Sequence, residues 1–212
     1  MDTMILILEI IGTCAFAISG AVLGITKRFD IFGVVFSATI TALGGGTIRD
    51  ILLGNLPPAM FKNYIYLIFA VATSILTFTL ARILKSKFSE NLVIIDKVNN
   101  VFDALGLGVF TIVGMNVAIN SGYAENAFFV IFLGMTTGCG GGILRDVIVS
   151  DVPFVLKKRI YAVASIAGGI LYYILHITLS VNEIISTIAG IVLIFTLRIL
   201  ASVFKWDLPK AI

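Results

Sequence analysis

Charged residues are scarce in this chain, and their scarcity argues against a soluble fold. Asp, Glu, Lys and Arg make up 13% of its 212 residues, whereas ordinary soluble domains contain about a quarter. Hydrophobic residues make up 59%, and the mean hydropathy is +1.09. A protein in water cannot bury so much apolar surface, so we predict an integral membrane protein, whose spanning helices each need about 20 mainly apolar residues.

Residues that hold metals or form covalent intermediates are also few. The chain has one histidine and two cysteines, and both Cys14 and Cys139 fall inside apolar stretches. We interpret them as small packing residues and not as a disulfide or a metal site. No nucleophile motif, histidine-rich spacing or phosphate loop occurs, so we predict no enzyme, cofactor or metal site. The net charge of +3 gives no indication of a nucleic-acid partner.

Seven hydrophobic segments are long enough to cross a membrane. The first should remain in the mature protein, because Asp2 and Glu9 stand where a cleavable signal peptide is basic. We therefore predict an all-α polytopic membrane protein, with one transmembrane domain of seven helices over residues 1–212. The segments are residues 10–26, 31–48, 63–81, 104–124, 126–144, 160–182 and 184–204.

Lysine and arginine are distributed unevenly between the two sides that alternating helices define. One side receives twelve and the other only Lys62, while Arg49 and Arg145 lie within hydrophobic segments. Because cytoplasmic loops carry the excess of basic residues, we predict a multi-pass protein of the inner (plasma) membrane, with the N-terminus outside and the C-terminus cytoplasmic. The twelve are Lys27, Arg28, Arg82, Lys85, Lys87, Lys97, Lys157, Lys158, Arg159, Arg198, Lys205 and Lys210.

A seven-residue motif occurs twice, 96 residues apart. Residues 44–50 read Gly-Gly-Gly-Thr-Ile-Arg-Asp, and residues 140–146 read Gly-Gly-Gly-Ile-Leu-Arg-Asp. The match extends upstream, where Glu9 aligns with Asp103. A unit of three helices ends on the opposite side of the membrane from its start, so the second copy is predicted to be inverted. The predicted units are repeat 1 at about 4–84, repeat 2 at about 98–178 and a seventh helix at about 184–204.

Three consecutive glycines leave the second and fifth helices without side chains over nearly a full turn. We predict a kink or break there, because glycine tolerates non-helical backbone and irregular backbone at membrane depth usually lines a cavity. Close helix packing is the alternative, since small residues recur at four-residue spacing. The small residues are Ala38, Ala42 and Gly46 in the first copy and Gly134, Gly138 and Gly142 in the second.

An arginine follows each glycine triplet inside the hydrophobic segment. At membrane depth an arginine costs between about 2.5 and more than 10 kcal/mol, so Arg49 and Arg145 are expected to face a wet cavity or an acidic partner. The alternative is a side chain that snorkels from a helix end to the interface. Two symmetric arginines, each attached to a glycine triplet, favour the cavity or partner.

Four acids are candidates to neutralise these arginines. Asp50 and Asp146 are adjacent to them in sequence, but successive residues of a helix point in different directions. We therefore favour Glu9 and Asp103, which lie on other helices, although a solvated helix end is the alternative for Glu9. Hydroxyl groups also occur along these helices, where bonding to the helix's own carbonyls is their commoner fate. The candidate pore hydroxyls are Thr13, Ser19, Thr41, Thr136 and Thr137.

The motifs and the helix layout resemble those of the prokaryotic trimeric intracellular cation channels. The resemblance covers residues 5–205 and includes the doubled Gly-Gly-Gly-x-x-Arg-Asp motif and the run Gly12-Thr13-x-x-Phe16-Ala17-x-Ser19-Gly20. It implies a homotrimer among membrane lipids, with a water-filled pore in each protomer that passes monovalent cations, mainly potassium with some sodium. The pore and gate residues that it implies are Gly44, Gly45, Gly46, Thr47, Arg49, Gly140, Gly141, Gly142 and Arg145.

The residues alone also fit a secondary transporter of a small solute. Inverted repeats with broken helices that meet at the midplane are typical of alternating access. Two buried cations repel a permeating cation unless they are paired, and they suit an anionic substrate. The channel is predicted on the family resemblance, and the transporter remains the alternative.

Overall fold

The structure, a computed structural model, describes residues 3–84, 92–157 and 160–206. These residues form seven longer helices and two helical turns, Ala59–Lys62 and Phe154–Lys157, and contain no strand. A π-helical turn follows α4 over Ile119–Tyr123 and contains one non-helical residue, Gly122 at φ 90°, and another π-helical turn follows α6 over Ile174–Thr178. The longer helices are α1 (Thr3–Thr26), α2 (Ile31–Leu52), α3 (Ile65–Ile83), α4 (Leu92–Ala118), α5 (Ala127–Ile148), α6 (Ala162–Tyr173) and α7 (Glu183–Val203).

Helix length and composition confirm an all-helical membrane protein. Among the described residues, six helices are long and apolar enough to cross a membrane, with lengths from 19 to 30 residues when the π turn after α4 is included. The exception is α6, which with its π turn extends over Ala162–Thr178 and is therefore shorter than the roughly 20 residues that a spanning helix needs. The predicted count of seven spanning helices is therefore not confirmed.

Large apolar side chains point away from the bundle. Phe32 is 74% exposed and Phe128 is 79% exposed, and these two residues occupy equivalent positions 96 residues apart in the two repeats. A soluble monomer seldom exposes a continuous apolar surface, whereas a lipid bilayer covers it. The outward face is therefore suited to lipid or to other subunits.

The starts of α2 and α5 are fixed in the same way. Asp30 accepts a hydrogen bond from the Gly33 amide at 2.8 Å, and Asn126 accepts one from the Phe129 amide at 3.0 Å. Short polar side chains at this position satisfy amides that have no partner within the helix. The two caps are themselves 96 residues apart, so the sequence correspondence extends to the caps that begin both central helices.

The centre of the bundle is an antiparallel contact between α2 and α5. A Cβ atom placed on Gly45 would lie 2.0 Å from the Thr137 carbonyl oxygen, and one on Gly141 would lie 2.0 Å from the Thr41 carbonyl oxygen. Both helices continue as α-helix through their glycine triplets, so the predicted kinks are not confirmed. Close packing, the alternative interpretation, accounts for these glycines, because no side chain fits between the backbones.

The remaining helices surround this contact. Helix α1 packs on α2 and α4, α3 packs on α1 and α2, α6 packs on α5, and α7 packs on α4 and α6. Because α2 and α5 are antiparallel, Arg49 and Arg145 lie towards opposite ends of the bundle. We call these the Glu9 end, where α1 begins and α2 ends, and the Asp103 end, where α1 and α5 end. Lys27 and Asp151 form a half-exposed ion pair of 2.8 Å at the Asp103 end.

Candidate functional site

Arg145 is the centre of a buried network at the Asp103 end. Its guanidinium donates to Asp146 Oδ1 at 2.9 Å through Nε, and through Nη1 to Asp103 Oδ1 at 2.8 Å and Ser19 Oγ at 2.6 Å. The ring of Phe154 lies 5.4 Å from its central carbon. Arg145 is 0% exposed, so these partners replace the water that a guanidinium would otherwise need. Asp103 is the partner from another helix that the sequence predicted.

A third arginine joins this network from α7. Arg198 Nη2 lies 3.0 Å from Asn100 Oδ1 and 3.5 Å from Asp103 Oδ2, and its guanidinium carbon lies 4.6 Å from the centre of the Tyr161 ring. Asp103 is thus shared between two arginines. Arg198 is a buried residue of α7, 4% exposed, and not the loop charge that its place in the basic-residue count assumed. Its position within an apolar segment was the available signal.

Arg49, at the other end, has a smaller set of contacts. Its Nε donates to Asp50 Oδ1 at 2.9 Å, and Asp50 is its one ion-pair partner in the part of the chain that the structure describes. Glu9 accepts a hydrogen bond from the Tyr66 hydroxyl instead. Glu9 was favoured as a partner of one of the arginines, with the pairing left open, and the structure places its carboxylate against Tyr66. Glu9 lies inside α1 and is partly buried, so it is not a solvated helix end either.

Asp50 and Asp146 pair with their sequence neighbours because each is fixed by a second contact. Oδ2 of Asp50 accepts a hydrogen bond from the Ala59 amide at 2.8 Å, and Oδ2 of Asp146 accepts one from the Phe154 amide at 2.7 Å. Each amide opens a helical turn that follows α2 or α5. The carboxylate therefore caps this turn and turns its other oxygen towards the arginine, a geometry that helix periodicity alone does not predict.

The third glycine of each triplet lies beside an arginine. A Cβ atom on Gly46 would lie 3.7 Å from Arg49 Nη2, and one on Gly142 would lie 3.8 Å from Arg145 Nη2 and 3.0 Å from the Tyr161 hydroxyl. The triplets thus serve two purposes. Gly45 and Gly141 permit contact between the helices, while Gly46 and Gly142 border the guanidinium groups.

A pocket of about 40 Å³ with a mixed polar and apolar lining lies at the Glu9 end. A water molecule needs roughly 10–15 Å³ on this measure, so the pocket has room for about three. Its lining combines opposite charges, from Glu9 and Arg49, with hydroxyl groups and an apolar wall that includes Phe110. The polar and charged lining residues are Glu9, Thr13, Thr47, Arg49, Asp50 and Tyr66.

The predicted pore hydroxyls are divided among different environments. Thr13 lines the pocket, while Ser19 binds Arg145. Thr41 and Thr137 donate to carbonyl oxygens one turn earlier in their own helices, and Thr136 is partly buried on α5. Only Thr13 of these five therefore faces the pocket. Thr47, named among the pore residues, also lines it and donates to the Met60 sulfur at 3.0 Å.

Metal-binding groups are not assembled anywhere in the described ranges. Among those residues no set of three or more His, Cys, Asp or Glu side chains is placed to hold a metal ion. Cys14 and Cys139 are both free thiols. The chemistry of the site is therefore that of buried arginines, carboxylates and hydroxyl groups.

The fold and the site together define a class of helical membrane protein in which two similar halves each bury an arginine and a carboxylate beside a central glycine contact. A sequence profile of the family described as "Glycine transporter" matches residues 6–82 and 100–177, and each range contains one copy of the motif. The chain is also 38% identical to the UPF0126 inner membrane protein YadS of Escherichia coli K12, over 95% of this chain and 92% of that protein.

Two solved structures have the same fold. A prokaryotic TRIC channel crystallised in 0.5 M KCl is 36% identical, with a TM-score of 0.87 over 98% of this chain and 100% of that one. The trimeric intracellular cation channel orthologue of Rhodobacter sphaeroides is 28% identical, with a TM-score of 0.86 over 97% and 100%. The chain therefore belongs to the family whose profile is described as "Glycine transporter". Its resemblance to the prokaryotic trimeric intracellular cation channels is confirmed.

Proposed function

We propose that the chain is a channel for monovalent cations, chiefly potassium with some sodium, and that each protomer of a homotrimer holds its own pore. The observation that carries this proposal is the likeness to a TRIC channel that extends over 98% of the chain at 36% identity. The pathway runs past the two glycine triplets and their arginines. Arg49 and Arg145 act in it as gate residues and not as cation-binding sites, because each is held by carboxylates.

The charges at the Glu9 end support a preference for cations. Arg49 contributes one positive charge, while Asp50 and Glu9 contribute two negative charges to the same pocket. The arginine is therefore neutralised, and the Glu9 carboxylate is left to attract a cation. At the Asp103 end, Arg145 is likewise neutralised by Asp103 and Asp146.

Single-channel recording of the purified protein in a planar bilayer tests the function. Under a potassium chloride gradient we expect unitary currents that reverse near the potassium equilibrium potential. Glu9→Gln should move the reversal potential towards that of chloride, because it removes the uncompensated carboxylate of the pocket. Glu125→Gln is the matched control, since Glu125 is exposed in the loop between α4 and α5 at the same end.

Two results would contradict this proposal. The first is a preference of the unmodified protein for chloride. The second is an absence of unitary currents in a preparation that remains a folded trimer, because a channel passes ions at rates that alternating access does not reach. Equal shifts of the reversal potential in Glu9→Gln and Glu125→Gln would contradict the role of the pocket in cation preference.

A small-solute transporter is the second candidate, and two observations favour it. The family profile is described as "Glycine transporter", and the pocket presents both a carboxylate, Glu9, and a guanidinium, Arg49. Opposite charges on two walls suit a small zwitterion, whose ammonium and carboxylate groups would face them. Uptake of labelled glycine into proteoliposomes, without unitary currents, would favour the transporter.

The proposed location is the inner membrane, with the N-terminus outside and the C-terminus cytoplasmic. With Arg198 removed from the loop count, eleven basic residues still lie on the proposed cytoplasmic side, against Lys62 on the other. In a variant without Cys14 and Cys139, a cysteine at Asn182 should react with an impermeant maleimide in intact cells. One at Val152 should react only after permeabilisation, and the reverse pattern would contradict the orientation.

The homotrimer is proposed from the names and likeness of the solved structures, which are trimeric channels. The outward apolar faces support assembly within a bilayer, since side chains such as Phe32 and Phe128 need lipid or another subunit against them. The detergent-corrected mass of the purified protein should equal that of three chains.

A further inference from the structure

Arg198 is the one buried arginine that belongs to neither repeat. It lies on α7, whereas Arg49 and Arg145 occupy equivalent positions on α2 and α5. Its side chain reaches Asp103 Oδ2 at 3.5 Å, while Arg145 holds Oδ1 of the same carboxylate at 2.8 Å. The α7 contact is therefore the longer and weaker of the two.

The buried charged groups around Arg49 and Arg145 correspond to one another apart from Arg198. At the Glu9 end the network consists of one arginine and two acids, Arg49, Asp50 and Glu9. At the other end Arg145, Asp146 and Asp103 form the equivalent set. Arg198 adds a positive charge to the second set only, so the formal charges of that set sum to zero while those of the first set sum to one negative charge.

The two ends also differ in how exposed and how tightly bound their second carboxylate is. Glu9 is bound by a tyrosine hydroxyl and borders an open pocket, whereas Asp103 is 2% exposed and is bound by two arginines. Polar atoms around Asp103 also remain unused. Among the described residues, Arg145 Nη2, Arg198 Nε and the Tyr161 hydroxyl are buried without a hydrogen-bond partner, so this network leaves part of its hydrogen-bonding capacity unused.

We propose that Asp103 is a cation-binding site of the transport pathway, and that Arg198 occupies it as a tethered cation that keeps the Asp103 end closed. Withdrawal of the Arg198 side chain leaves one arginine and two acids around Asp103. This set then has the same formal charge as the arginine and two acids around Glu9. A monovalent cation then takes the place of the guanidinium. Helix α7 packs only on α4 and α6 among the longer helices that the structure describes, so it can shift without separating α2 from α5. The proposal rests on the cation pathway proposed above.

The buried thiol of Cys139 reports opening at this end without any measurement of current. Cys139 lies in the same buried cluster as Tyr161 and is 3% exposed. In a Cys14→Ala background it is the single cysteine of the chain. Its rate of modification by methyl methanethiosulfonate, an uncharged reagent, is measured by mass spectrometry on protein in lipid nanodiscs.

Arg198→Gln should speed this modification by about tenfold or more, the change in equilibrium expected when one hydrogen bond between charged groups is lost. Arg198→Lys keeps the charge and should remain near the parental rate. Arg82→Gln is the matched control, because Arg82 is exposed near the end of α3 that lies on the same side. A parental rate in a folded Arg198→Gln trimer would overturn the proposal, as would Arg198→Lys reacting as fast as Arg198→Gln.

Potassium provides the second measurement. At constant ionic strength, replacing N-methylglucamine with potassium should speed modification in the parental protein, because potassium competes with Arg198 for Asp103. The absence of a potassium effect overturns the cation site, and this comparison decides the matter if Arg198→Gln does not fold. Failure of the proposed channel function is seen separately, as absence of current in bilayers, because the Cys139 rate does not require conduction.

Discussion

Replacing Asp103 with asparagine should lower the free energy of unfolding by about 3–5 kcal/mol, the cost of removing one partner from a buried ion pair. Asparagine has nearly the same shape as aspartate, so the loss is one of charge. Arg145 and Arg198 would share a single remaining acid, Asp146, in a region where Arg145 is 0% exposed. Size-exclusion chromatography after heating, on protein in mild detergent, measures the change as a lower midpoint temperature.

Glu9→Gln is the matched control for this prediction. Glu9 aligns with Asp103 in the other repeat, but it borders a pocket with room for water and binds Tyr66 instead of an arginine. Its replacement should change the free energy of unfolding by less than about 1 kcal/mol, the contribution of a typical hydrogen bond. Combining Asp103→Asn with Arg198→Gln should recover part of the loss. Equal losses of unfolding free energy in Asp103→Asn and Glu9→Gln would contradict the network described for Asp103.

Gly45→Ala should also destabilise the protein strongly. The added methyl group would lie 2.0 Å from the Thr137 carbonyl oxygen, and a backbone atom cannot turn aside as a side chain can. The α2 and α5 helices would have to separate along their whole contact, at a cost of about 3 kcal/mol or more, the upper end of what overpacking costs in protein cores. The yield of monodisperse protein and its midpoint temperature give the result.

The adjacent glycine provides the comparison for Gly45. A Cβ atom on Gly46 would meet only the end of the Arg49 side chain, at 3.7 Å, an ordinary contact distance. Alanine also favours helix over glycine by about 1 kcal/mol. We therefore expect Gly46→Ala to be as stable as the parental protein or slightly more so. If the two variants behave alike, the helix contact does not explain the triplet.

Hydropathy was sufficient to predict most helices, because a bilayer imposes length and composition directly. The predicted segment at residues 126–144 became α5, Ala127–Ile148, and the segment at 31–48 became α2, Ile31–Leu52. Helix α6 departs from this pattern, since even with its π turn it ends at Thr178, whereas the predicted segment continued to residue 182. The change from α to π hydrogen bonding has no hydropathy signal, so it was not predicted.

The glycine triplets show why local sequence did not determine backbone shape. Glycine permits both a broken helix and a close contact, and propensity alone does not separate them. The partner helix decides: Gly45 and Gly141 each face a threonine carbonyl across the α2 and α5 contact. That information lies about 96 residues away in the chain and becomes available only when the two helices are placed together.

The acidic partners of the arginines were predicted only in part, because the contacts that position them form between segments that are apart in the sequence. Asp103 was favoured as a partner from another helix, and in the structure its Oδ1 lies 2.8 Å from Arg145 Nη1. The adjacent Asp50 and Asp146 were not favoured, because periodicity places neighbours on different faces and says nothing of the capped turns that fix their carboxylates. Arg198 lies in an apolar segment, as Arg49 and Arg145 do. Because it was counted as a loop charge, its burial was not predicted.

The position of α7 outside the repeats gives the molecule a polarity that its duplication alone would not provide. Two equal halves related by inversion form a structure that is the same from either side of the membrane. Such an assembly would pass current equally in both directions and would respond equally to signals from either compartment. A seventh helix that contributes Arg198 to one end only makes the two faces of the molecule chemically different.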